Sequence, residues 1–400
     1  MEIRPILSAM LRNKAGVLLV ALQIAVTLAV VVNASFIIKQ RLDLIGRPTG
    51  MDVANIFTVL SWSFGDDVDF RERIRADLEL IRNLPGVIDA TTMLNVPLSG
   101  GGSATTFHVE PGQEDPPSAN YFPVEERAIE TLGVKLMAGR GFRPEEIKVL
   151  APDSSVFVDS VIMTQAFADR LFPDGDALGK TIYDGLGQPA TIVGIIEHMH
   201  GSWVGSDRLN EVVLFPAHID YGFVRYVIRA EPGRRDELMP LVEQKLAELD
   251  AQRVVREPRS LEEYAADSYR ADRMMATLLG AVIFLLVSVT ALGIVGLASF
   301  SVKSRTKQIG TRRAIGASRL DILRYFMVEN WLITTGGVAL GSVLAVAFNY
   351  WLVRTFELPK LDWIYIPVGV VTLWILGQLA VLGPARRAAS IAPAIATRTV

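Results

Sequence analysis

Few residues of this 400-residue chain stand at spacings that could do chemistry. Gly175-Asp176-Ala177-Leu178-Gly179-Lys180-Thr181 has the residue types of a loop that cradles phosphate. Such a loop needs four residues between its first glycine and the Gly-Lys pair, and only three stand there. A turn between a short helix and a strand explains the segment better. His198 and His200, beside Glu197, share one face if a strand persists there and could begin a metal site. The other two histidines, His108 and His218, are remote in sequence, and no third ligand is identifiable. An ordinary polar strand end is the better reading. Nucleophile elbows, paired-carboxylate motifs and zinc-protease helices are missing from the sequence. The chain is read as non-catalytic, with no metal or cofactor of its own.

The most informative cluster is Lys303-Ser304-Arg305-Thr306-Lys307-Gln308-Ile309-Gly310-Thr311-Arg312-Arg313-Ala314-Ile315-Gly316-Ala317-Ser318. The run up to Ile315 predicts a short helix ended by Gly316, a residue that tolerates a left-handed cap. Ser318, with Asp321 three residues on, predicts the start of a new helix through Ile322, Leu323 and Phe326. A helix, a break and a second helix suit a docking element for a partner. The plainer reading is a solvated basic loop.

The elements that must position this cluster are membrane spans. Charged residues make up 21% of the chain, yet none occurs in Ala15–Ile38, Met274–Val302, Asn330–Val353 or Trp363–Ala385. A helix crosses a bilayer core with about 20 apolar residues, and every window passes that test. The first window is too long for a typical signal-peptide core and no clear cleavage site follows it, so it reads as an anchor. Gln23, Asn33 and Gln378 are polar residues in or near the bilayer, expected to face other helices. None is charged, which disfavours a proton-coupled carrier. Gly337 and Gly341, and Gly293 and Gly296, would allow close helix approach, within one chain or between two.

Orientation follows from the basic residues at the span ends. The N-terminus, the 303–324 loop and the C-terminal tail carry 13 basic residues (among them Arg4, Arg12 and Arg398) against 2 acidic ones, while the whole chain is −3. Both termini and that loop are therefore expected in the cytoplasm, and residues 39–273 outside. Basic segments beside spans read as topology signals and contacts to anionic membrane lipid, not as nucleic-acid sites. The chain has no cysteine, so the outer segment must stand on its core; 235 residues are ample for that.

The outer segment reads as mixed α/β. Phe70, Ile74, Leu78 and Ile81 predict a helix over Asp69–Leu84, ended by Pro85-Gly86. Strands are expected at Val87–Met93, Val156–Met163, Ala190–Ile196 and Arg225–Arg229, and helices at Gln165–Leu171 and Asp236–Leu249. Ser99–Ser103 and Pro111–Pro117 read as loops. Ser260-Leu261-Glu262-Glu263 predicts a capping box opening a helix that runs straight into the second span.

The stretch RTKQIGTRRAIGASRLDILRYFMVEN resembles the hallmark of the MacB/FtsX permease family, R-x-x-E-I-G-x-R-x-A-x-G-A followed by a Glu before the third span. Glu329 takes that last place. Gln308 stands where the family usually has Glu, which departs from the pattern. LLGAVIFLLVSVTALGIVGLASFSV in the second span, PARRAASIAPAIATR at the C-terminus (with Pro384, Ala388 and Pro393) and AFADRLFPDGDALGKTIYDGLGQPATIVGIIEHMH in the outer segment extend the likeness over nearly the whole chain. It implies an α-helical membrane protein with four transmembrane helices and a large inserted α/β (α+β) extracytoplasmic domain of two subdomains. The implied divisions are 1–38, 39–273 with an insert at about 108–200, and 274–400. It further implies a permease subunit driven by a separate cytoplasmic ABC ATPase, which would carry the ATP and Mg. The coupling residues would be Arg305, Gln308, Ile309, Gly310, Arg312, Arg313, Ala314, Gly316, Ala317, Ser318 and Glu329. A second permease subunit, identical or paralogous, is implied, and in many members a periplasmic adaptor and an outer-membrane channel. The substrates would be macrolides, peptides, siderophores or lipoproteins. The family's other branch transmits force to an extracytoplasmic partner such as a cell-wall hydrolase.

Overall fold

The computed structural model describes residues 14–63, 70–151, 158–250, 253–356 and 359–392. Arg4, Arg12, Pro393, Arg398 and the start of the Val156–Met163 strand lie outside the described residues. In chain order the elements are α1 (Lys14–Ile45), β1 (Ile56–Ser63), α2 (Phe70–Arg82), β2 (Val87–Thr92), β3 (Ser103–His108), β4 (Ser118–Val124), α3 (Ala128–Leu132), β5 (Leu136–Gly139), β6 (Lys148–Leu150) and β7 (Ser160–Thr164). They continue as α4 (Gln165–Leu171), β8 (Thr181–Asp184), β9 (Pro189–Ile196), β10 (Val212–Ile219), β11 (Phe223–Ala230), α5 (Arg235–Leu249), β12 (Arg253–Ser260), α6 (Leu261–Ser268), α7 (Arg270–Ser304), α8 (Thr306–Ala314), α9 (Arg319–Phe356) and α10 (Tyr365–Ala389). The chain divides into two units, residues 46–271 and the remainder.

The unit of residues 46–271 holds two sheets. The first is antiparallel, in the order β12-β1-β11-β2. Helices α2 and α5 cover one of its faces. Ile74, Leu78 and Ile81 from α2, and Leu238, Val242 and Leu246 from α5, pack on Phe57, Val59, Tyr226 and Ile228. The helical spacing of those six side chains is what makes each helix a one-sided cover. An ion pair sits within this core: Arg253 Nη2 lies 3.0 Å from Asp77 Oδ2, both side chains 2% exposed, and the Tyr226 hydroxyl donates to the same carboxylate.

The second sheet has eight strands, in the order β4-β3-β8-β9-β7-β10-β6, with β5 on β9. Its strand β10 also pairs in parallel with β4, Val212 opposite Asn120 through Pro216 opposite Val124. The sheet therefore closes on itself, and Phe107, Phe167, Ile182, Ile192, Val213 and Phe215 form its core. All its strands lie between β2 and β11 in the chain, from Ser103 to Ile219. That span is wider at both ends than the 108–200 window of the sequence reading.

Three of the four apolar windows lie within a helix and the fourth falls in α10 from Tyr365 on; among the described residues α1, α7, α9 and α10 are long and apolar enough to cross a membrane. Close approach between α1 and α9 depends on glycine. A Cβ at Gly337 would fall 2.8 Å from the Ile24 Cβ, and one at Gly341 would fall 2.9 Å from the Ala25 Cα. These two glycines therefore serve packing inside one chain. Asn33 donates to the Ala29 and Ala345 carbonyls at 2.9 and 3.1 Å, so its amide joins the same two helices.

One expectation is corrected. The capping box at Ser260 is present, with Glu263 N–H donating to Ser260 Oγ at 3.2 Å and Ser260 N–H to Glu263 Oε2 at 2.8 Å. The helix it opens does not run straight into the second span. It ends at Ser268; Tyr269 (φ −89, ψ 8) leaves the helical path, and α7 begins at Arg270. Tyr269 is buried, and its N–H still donates to the Ala265 carbonyl at 3.0 Å, so the interruption is one residue long.

Candidate partner-docking site

The candidate site is the hairpin made by the end of α7, the short helix α8 and the start of α9. Helix α7 stops at Ser304, and Arg305 (φ −112, ψ 14) makes the corner into α8. Helix α8 ends where Gly316 takes φ +107. Its N–H and that of Ala317 donate to the Arg313 and Arg312 carbonyls at 3.2 and 3.0 Å. Nothing lies within 4 Å of a Cβ built there, so glycine is required by backbone conformation alone. Ser318 then caps α9: its N–H and Oγ reach Asp321 Oδ2 at 3.0 and 2.6 Å, and the Asp321 N–H returns to Ser318 Oγ at 3.2 Å.

The expected coupling residues divide into two groups. Ile309 and Gly310 are buried; Ile309 packs on Ile322, Phe326, Ala385 and Ala388. Arg313 is half-buried, and its Nη1 donates to the Ala389 and Ile391 carbonyls at 3.0 and 2.9 Å. Those carbonyls lie at and just beyond the C-terminus of α10, where the helix dipole favours a cation. Glu329 is 6% exposed and turns inward to Arg305, whose Nη1 lies 3.1 Å from Glu329 Oε2 and 3.2 Å from the Tyr325 hydroxyl. The outward group is Gln308, Arg312, Ala314, Gly316 and Ser318, with Ala317 half-buried. Arg312 stands over the Tyr325 ring at 5.1 Å.

Three participants were missed from sequence. Tyr325 receives both arginines. Ile315 is 82% exposed and Leu320 52% exposed at the hairpin tip. The available signal was an isoleucine and a leucine flanking a helix break amid charged residues. Two exposed apolar side chains, with exposed Arg312 and Arg319 close to them in sequence, give a surface that can bury against a hydrophobic cleft with an acidic rim.

The other chemical candidates are structural. In the Gly175–Thr181 turn three amides are already used: Gly175 N–H donates to the Phe172 carbonyl at 2.9 Å, Gly179 N–H to the Ile192 carbonyl at 2.8 Å and Lys180 N–H to the Ala177 carbonyl at 3.2 Å. The Lys180 ammonium lies over the Phe172 ring at 4.7 Å. These donors do not converge on an anion. The His198 and His200 rings meet at 5.0 Å, and His198 Nε2 lies 2.8 Å from the Pro48 carbonyl oxygen. His200 is fully buried, and burial, with His198 and Arg47 nearby, pushes its pKa down to about 4. Among the described residues no three His, Asp or Glu side chains gather as metal ligands.

Comparison with known proteins adds the family. The model of the MacB-like periplasmic core domain matches residues 17–245, and that of the FtsX-like permease C-terminal domain matches residues 280–393. The macrolide export ATP-binding/permease protein MacB of Neisseria gonorrhoeae is 28% identical over 289 residues, covering 68% of this chain and 41% of that protein. An uncharacterized ABC transporter permease of Bacillus subtilis, YvrN, is 27% identical over 252 residues, covering 60% of this chain and 61% of that one. The chain thus spans only about two to three fifths of the length of these relatives. Among solved structures, the periplasmic region of MacB from Actinobacillus actinomycetemcomitans aligns at 13% identity and a TM-score of 0.32, over 52% of this chain and 90% of that one. The core-domain model alone matches more than half of the chain, and the chain belongs to the MacB/FtsX-type family of ABC transporter permeases.

Proposed function

We propose that this chain is a permease subunit powered by an ABC ATPase on a separate polypeptide, and that the α8 hairpin is where that ATPase docks. The observation that carries the reading is the tip itself. Ile315 and Leu320 are exposed, with Arg312 and Arg319 close to them in sequence, on a hairpin whose inner face is fixed by Ile309, Arg305 and Arg313. A loop that only set topology would need the charges but not the buried anchor or the apolar tip.

In this reading the termini and hairpin lie in the cytoplasm and residues 39–273 lie outside the inner membrane, as the distribution of basic residues supports. ATP binding and hydrolysis on the partner shift the hairpin, and the spans pass that shift to the outer domain. The MacB relatives carry macrolide export in their name. Export from the macrolide, peptide, siderophore or lipoprotein classes, by two permease subunits together with an adaptor and an outer-membrane channel, is the corresponding role here. Purifying the tagged chain from its native membrane tests the reading. A nucleotide-binding ATPase should copurify, and Arg312→Glu with Ile315→Asp should release it while the chain stays folded. Retention of the ATPase by that double variant would sink the docking claim.

A further inference from the structure

Helix α7 is the least buried of the four spans. Its buried residues are Thr290, Ile294, Ala298 and Ser301, a single stripe at spacings of four, four and three. Its other faces expose Phe284 and Leu292, at 75% and 70%. Few contacts fix it to its neighbours. The Thr27 and Thr290 hydroxyls share a hydrogen bond of 2.8 Å, and Ile294 and Ala298 join the apolar cluster of the spans. Ion pairs tie the helix at both ends. Arg41 to Asp272, at 2.8 Å, is partly exposed. Arg305 to Glu329, at 3.1 Å, is nearly sealed, with side chains 16% and 7% exposed. Exposed pairs contribute little to geometry or stability. A buried charge left without its partner is costly, so the sealed pair holds its two helices to one arrangement.

Packing beside the sealed pair is incomplete. A cavity of about 20 Å³, room for one water, lies there between Ser301, Phe326, Asn330 and Val381. Apolar contact alone therefore does not fix the end of α7. The pair also sits at the corner where α7 turns into α8. Arg313 pins the far end of α8 to the end of α10, which leaves the near end to Arg305.

We propose that Arg305 and Glu329 form a latch that sets the angle of α7 and α8 against α9, so that Glu329 is a positioning residue and not a contact to the ATPase. Its value to transport rests on the docking reading above. Without the pair, the end of α7 would swing and a push on the hairpin would be lost before reaching the span.

The test reads geometry alone, on the full chain in lipid nanodiscs. The chain has no cysteine, so Lys303→Cys with Arg324→Cys, both exposed, gives one spin-label pair across the corner. With the latch intact the distance distribution is expected to be single and narrow. Arg305→Met with Glu329→Leu, which removes both charges and leaves neither unpaired, should at least double its width while the melting midpoint holds within a few degrees. Glu329→Gln, similar in volume, should broaden it too and serves if the double variant does not fold. Exchange of the two residues, Arg305→Glu with Glu329→Arg, should narrow it again. An unchanged distribution in the uncharged variants overturns the latch. Failure of ATPase binding with a narrow distribution in the parent chain would instead count against docking and leave the latch standing.

Discussion

Asp77 and Glu125 show how strongly single buried carboxyls bear on the outer domain. Asp77 meets Arg253 in a fully enclosed pair that Tyr226 completes. Removing one member of such a pair strands the other charge, which costs about 3–5 kcal/mol. Asp77→Ala is therefore expected to lower the unfolding midpoint of the outer domain by that equivalent in denaturant melts, and a loss below 1 kcal/mol would contradict the enclosed pair. Glu125 follows β4, and burial, reinforced by Glu126, raises its pKa from 4.5 to about 7 against the pull of Thr92, Arg82 and Arg71. The sign of the linkage is set by that rise. Below pH 4.5 the carboxyl is protonated both folded and unfolded, and no penalty arises. Between pH 4.5 and 7 the unfolded chain loses the proton while the folded one keeps it, so stability falls as pH rises, and above 7 the loss is complete. Melts of the full chain in detergent from pH 5 to 8 should show this fall, and Glu125→Gln should flatten it. An equal slope in the variant would place the titration elsewhere.

At the scale of elements, the hairpin tests how far local spacing reaches. Gly316, Ser318 and Asp321 made the helix, break and second helix legible, because left-handed caps and capping boxes are local chemistry written within a few residues. The four spans were legible for a similar reason, since uninterrupted apolar length has few other uses. The pairing of Arg305 with Glu329 was not legible. The two stand 24 residues apart, and only the packing of α7 beside α9 decides which charged side chains face inward. The break at Tyr269 was not legible either: the capping box at Ser260 marks where a helix starts, and no comparable local signal marks the one-residue break at Tyr269. Closure of the second sheet through β4 and β10 is likewise a long-range pairing that alternation within each strand cannot announce. Local chemistry also sets the expected cost of change. Gly316→Ala forces a side chain into φ +107 and should cost about 1–2 kcal/mol of hairpin stability. Ser318→Ala should cost about 1 kcal/mol by removing the cap. Faster amide hydrogen exchange across α8 and the first turn of α9 would report both, and unchanged exchange would deny the caps their role.

For the whole molecule, the two units carry different burdens. The outer domain is held by three apolar cores and shows no group of three metal-binding side chains among its described residues. The span unit has, at the tip of the α8 hairpin, the exposed Ile315 and Leu320 on which the proposed docking rests. Its helices α1 and α9 approach too closely at Gly337 to admit a larger residue, so Gly337→Leu should part them. The expected outcome is a chain with lowered thermal stability in detergent, by about 1–3 kcal/mol for the overpacking, and an unchanged melt would place the helices farther apart. The central claim is that the tip of the α8 hairpin meets an ATPase, and a photo-crosslinker at Ile315 in living cells tests it most directly. Compared with the same group at Leu186, an exposed site of the outer domain, it should yield an adduct with a nucleotide-binding ATPase found only from position 315. No ATPase adduct at 315, or the same adduct from both positions, would contradict it.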